Sequence, residues 1–182
     1  SSDVCSSDLA QYENTSQVWF LIIKKVLFEK EYERAMSNAL KQLTDLYEYF
    51  TQSMNKNPRE FKLKQDIFRQ LRGYKVLLGF LKEGTIVFDI LEEISTGKEG
   101  ITHHYRMDVF FLICKFFVQV HNLCKVFCKD NTENQAVLLG ELPLFLTNKS
   151  VNFGQIELLS MICKKSNSLK VEARTAFNSR LA

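Results

Sequence analysis

A chain of 182 residues that is 46% hydrophobic can bury one core, and its seven Gly and two Pro exclude collagen-like or linker composition and argue against a β-sandwich. A formal charge of +3, from 24 Lys+Arg against 21 Asp+Glu, is too mild to argue for nucleic acid as a partner. The longest uncharged apolar run, "VFFLIC" at 109–114, is stopped by Lys115 far short of the ~20 residues a bilayer span needs, so no membrane insertion is expected.

In chain order, "SSDVCSSDL" repeats "SSD" at 1–3 and 6–8, and "DVCSSDL" is also one translated frame of a common sequencing adapter. Residues 1–9 are therefore read as an adapter remnant or a disordered tail and left out of the fold. Residues 10–57 are assigned to a long N-terminal helix. Its seam is Phe28, Tyr32, Ala35, Ala39, Leu43, Leu46 and Phe50, with Glu29, Glu33, Lys41, Asp45 and Glu48 on the other faces. Residues 58–182 are assigned to a second helical domain. Asn57, Pro58 and Glu60 read as its opening capping box, and a helix follows through Phe61, Phe68 and Leu71 to about Lys82, with Gly73 as an interruption. Gly84 supplies a stop, Thr85 caps "IVFDILEEI", and "STGKEGI" (95–101) is a loop.

Thr102 then opens a helix running to about Lys129. Its stripe is Phe110, Ile113, Cys114, Phe117, His121, Cys124 and Cys128, while Phe111, Phe116, Val118, Leu123 and Phe127 lie off it. A helix apolar nearly all round must be covered by neighbours on several sides. "KDNTENQ" (129–135) follows as a tight corner between two buried helices. Asp130-Asn131 ends the first helix, with Asn supplying the left-handed position, and Thr132 and Gln135 form a T-x-x-Q capping box for the second. On this reading Thr132→Ala costs ~1 kcal/mol.

Pro143 predicts a break near Leu142. "NFGQ" repeats the capping logic with Asn152 and Gln155, opening a helix through Ile156, Leu159 and Cys163 to about Asn167, and a more polar helix starts at Ser168. Strand-like alternation is nowhere sustained. The expected fold is all-α, an armadillo-like helical solenoid segment of about seven or eight helices, cut from a longer polypeptide.

Candidate sites are few. His121, Cys124 and Cys128 share one helical face, but zinc needs a fourth ligand, and buried thiols commonly pack as small hydrophobes. No metal site is assigned. His103-His104 point to different faces, one of them a pH-sensitive contact at most. Cys124 and Cys128 lie near a helix C-terminus, which favours the neutral thiol and argues against nucleophilic catalysis. The five Cys, an odd count without paired spacing, read as reduced thiols in a cytosolic setting. Lys62, Lys64, Arg69, Arg72 and Lys75 read as a solvated face that makes no phosphate clamp. With no Gly-rich phosphate loop, carboxylate pair or H-E-x-x-H, neither enzyme activity nor a cofactor is assigned.

The corner also carries a family likeness. "NLCKVFCKDNTENQAVLLGELPLFL" resembles the RIH domain, the homology region of inositol 1,4,5-trisphosphate receptors and ryanodine receptors, and is closest to that of the former. The matching positions are Phe127, Cys128, Asn131, Asn134, Gln135, Ala136, Leu138, Leu139, Leu144, Phe145 and Leu146, with Thr132 inside the same corner. "LRGYKVLLGFLKEGTIVFDILEEIS" upstream and "IELLSMICKKSNSL" downstream agree in order and spacing, so the likeness spans roughly 60–175. Pro143 departs from the family pattern, and the helix over 16–54 has no counterpart in it. The resemblance implies a cytosolic, armadillo-like segment of a tetrameric Ca²⁺-release channel of the endoplasmic reticulum, relaying ligand-driven motion toward the pore. Its partners would be other domains of the same chain and neighbouring subunits. No ligand-binding residue of the family falls on a matched position. The other reading of an α-solenoid is a freestanding scaffold that binds partner proteins on its concave face.

Overall fold

The computed structural model describes residues 33–84, 107–147 and 154–163. The first 32 residues, the helix and loop read over 85–101, Thr102, His103-His104, Asn152 and the helix from Ser168 lie outside them. The described residues form α1 (Glu33–Met54), α2 (Pro58–Gln70), α3 (Gly73–Glu83), α4 (Met107–Cys128), α5 (Thr132–Leu139), α6 (Leu142–Thr147) and α7 (Gln155–Ile162). No strand occurs among the described residues, so this part of the chain is all-α.

Of the seam predicted for α1, Ala39, Leu43 and Phe50 are buried, and Phe28 and Tyr32 lie outside the described residues. Met36 also faces the core, while Ala35 is only half-buried and Leu46 partly covered. α1 lies along α4 and α2 and shares one core with the rest, Gln119 Nε2 donating to the Leu43 carbonyl at 3.5 Å.

α2 starts where the sequence placed it. Asn57 accepts from the Glu60 N–H at 3.2 Å, and Pro58 sits at the first helical position. The capping box is only half formed. The Asn57 N–H is already donated to the Ser53 carbonyl of α1 at 2.8 Å, so the Glu60 carboxylate accepts instead from Asn57 Nδ2 and from Lys64.

The interruption at Gly73 is a full break. Arg72 takes the left-handed conformation with φ 56°, and α3 starts at Gly73. A side chain at Gly73 would occupy the place of the Phe68 ring. That ring cannot yield, because it is wedged edge-on against Phe50 and Phe127 at 5.5 and 5.7 Å. Gly84, the C-cap of α3, is small for a similar reason and makes no left-handed turn. Its φ is −67°, and a Cβ there would stand 2.6 Å from the Phe117 ring.

α4 is the central helix, touched by α1, α2, α3, α5 and α7. Ile113, Phe116, Phe117, Val120, Leu123, Cys124, Phe127 and Cys128 have no exposed surface, as its all-round apolar character requires. Off the seam, Phe111 and Val118 turn outward, 57% and 39% exposed. By length and composition Phe111–Cys128 could cross a membrane, contrary to the short uncharged run seen in the sequence. Here it is a core helix, because its apolar surface is spent on five neighbouring helices.

The chain breaks after α5 at Gly140-Glu141, and Pro143 falls in the first turn of α6, where a missing N–H costs no intrahelical bond. α7 departs from its predicted cap. Gly154, with φ 95°, is the N-cap residue and no side chain caps the helix. Gln155, buried, instead donates through Nε2 to the Phe145 carbonyl, joining α6 to α7. The helix ends at Ile162, short of Asn167, with Leu158, Leu159 and Ile162 buried and Ile156 exposed.

Candidate functional site

At the corner between α4 and α5 the buried polar side chains of Gln65, Asn131 and Asn134 meet. α4 ends at Cys128, and its last carbonyls need donors. Asp130, with φ 54°, makes the left-handed step that the sequence reading gave to Asn131. Asn131 has extended backbone and is the N-cap of α5, its side-chain oxygen accepting from the Asn134 N–H at 3.2 Å.

The N-cap therefore sits one residue earlier than predicted, and no reciprocal capping box forms, because the Asn131 N–H is donated to the Cys128 carbonyl at 3.3 Å. Thr132 is the exposed first residue of α5 and caps nothing. Gln135 does not reach back to the Thr132 N–H. Its Nε2 donates to the Cys128 carbonyl at 3.0 Å, so it caps the end of α4. The reason is geometric: with Asp130 making the turn, Asn131 is the first residue whose side chain faces the open N–H groups of α5. Thr132→Ala is accordingly expected to change stability by less than ~0.5 kcal/mol in urea melts, whereas Asn131→Ala should cost about 1–2 kcal/mol. The reverse order would return the cap to Thr132.

α2 completes the clasp. Gln65, 1% exposed, donates through Nε2 to the Val126 carbonyl at 2.7 Å and the Lys129 carbonyl at 2.9 Å. Asn131 Nδ2 donates back to Gln65 Oε1 at 3.2 Å and to Asp66 Oδ1 at 3.1 Å. Fully buried Asn134 donates to the Phe127 carbonyl at 2.8 Å. Outside this buried layer Arg69 pairs with Asp66 at 3.4 Å and with Glu133 of α5. Below it Phe127 stacks on Tyr74 of α3 at 5.7 Å and meets Phe68 of α2 edge-on. Leu138 is fully buried, Phe145 is 1% exposed and Leu139 is half-buried beside them.

Gln65 and Asp66 were not singled out in the sequence. A signal was present: Phe61, Gln65 and Phe68 stand four and three apart, so an amide occupies a position of the buried stripe. The solvated reading of the α2 cations also needs correction. Lys64 is 9% exposed, donates to the Tyr49 carbonyl at 2.8 Å, pairs with Glu60 at 2.9 Å and lies over the Tyr49 ring. Arg69 is a strut between helices, while Lys62 remains exposed.

His121, Cys124 and Cys128 share the face predicted for them, and all three are fully buried. His121 Nδ1 donates to the Phe117 carbonyl at 2.8 Å. Among the described residues no three His, Cys, Asp or Glu side chains are grouped to hold a metal. Burial pushes the Cys128 thiol up to about 12 and raises Cys124 and Cys114 as well, so these thiols are neutral and poor nucleophiles.

Burial also lowers His121 from 6.5 to about 4, with Lys125 adding to the shift and the Phe117 carbonyl and Glu157 opposing it. The folded state thus holds a neutral imidazole that the unfolded chain protonates below 6.5. Its contribution is complete above that pH and is lost as pH falls toward 4, by on the order of 3 kcal/mol. The difference in unfolding free energy between the wild type and His121→Gln should therefore shrink as pH falls through this window. A difference constant with pH would refute it.

Compared with protein-family models, curated proteins and solved structures, the chain finds no match.

Proposed function

We propose that this chain is a cytosolic transduction segment of an inositol-trisphosphate-receptor-like Ca²⁺-release channel, an RIH-type module built as an armadillo-like helical stack. It would face the cytosol from the endoplasmic reticulum membrane and contact other domains of its own chain and of neighbouring subunits in a homotetramer. The observation that carries the reading is the corner itself. Phe127, Cys128, Asn131, Asn134, Gln135 and Leu138, the positions of the family likeness, lie in the layer where α2, α4 and α5 are tied together.

Such a junction suits a mechanical relay. A push on α2 is carried by Gln65 to the end of α4 and, through Asn131, to the start of α5, so the three helices move as one body. The neutral thiols and the cations engaged within the fold fit a transmitting role better than a catalytic or phosphate-binding one. The decisive experiment is to sequence the complete transcript. A β-trefoil region upstream and a pore helix pair downstream are the expected result. A reading frame that closes shortly after Ala182 would overturn the channel and leave the freestanding scaffold.

A further inference from the structure

We draw no further inference here: the strongest candidate, the start of α7 at Gly154, where no side chain caps the helix and the Lys125 ammonium approaches, is a helix N-terminus that no second observation marks as holding a ligand.

Discussion

Phe127→Ala is expected to destabilise the fold by about 3–5 kcal/mol, read as a fall in the urea midpoint with an unchanged slope. The ring has no exposed surface, stacks on Tyr74 with planes 11° apart and receives Phe68 edge-on at 5.7 Å. Removing it leaves a cavity where α2, α3 and α4 meet. The neighbours cannot close in, because Phe68 is held from its other side by Phe50 and sits over Gly73. Phe127→Leu keeps most of the volume and should lose less than half as much. Equal losses for Leu and Ala would mean that ring contacts, and not filled volume, are what matter there.

Gln65→Leu is the second large effect, expected at about 2–4 kcal/mol despite similar size and greater hydrophobicity. The substitution leaves the Val126 and Lys129 carbonyls without their side-chain donor and takes the acceptor Oε1 from Asn131 Nδ2. Buried polar groups stranded in this way lose their solvation without recompense. A simple area argument gives the opposite sign, so the two explanations separate cleanly. Gln65→Glu should also destabilise, because a carboxylate cannot donate to either carbonyl. If Gln65→Leu proves neutral or stabilising in denaturant melts, the clasp contributes nothing and α2 is held by its aromatic contacts alone.

These two positions differ in how far the sequence exposes them. Phe127 was visible as one of many Phe on a helix apolar all round, and both its burial and its place at the corner could be anticipated. The role of Gln65 depends on carbonyls more than sixty residues further along, which no local pattern encodes. The corner teaches the same lesson at short range. "KDNTENQ" is plainly a joint, but two capping registers, from Asn131 or from Thr132, are both chemically sound. The left-handed step at Asp130 and the pull of Gln65 and Asp66 on Asn131 Nδ2 select the first. The burial of Lys64 escapes the sequence for a related reason. A lysine on an amphipathic helix looks solvated until the Tyr49 carbonyl and ring are placed against it.

What the sequence by itself determined is what depends on neighbours within a turn or two. That covers the helical character of the described residues, the seams of α1 and α4, the Asn57-Pro58 start of α2, and the breaks at Gly73 and before Pro143. Helical periodicity, side-chain capping and the steric limits of Pro are local, so they survive without knowledge of the fold. Tertiary structure alone decided which donor meets which carbonyl at the α4–α5 corner, and which glycines are small because a Phe ring fills their space. It also decided which cations are struts and that His121 stays neutral. Each of these turns on a close approach between segments far apart in the chain. Burial there removes the competing water, so a shift of one residue in register changes which buried groups are satisfied.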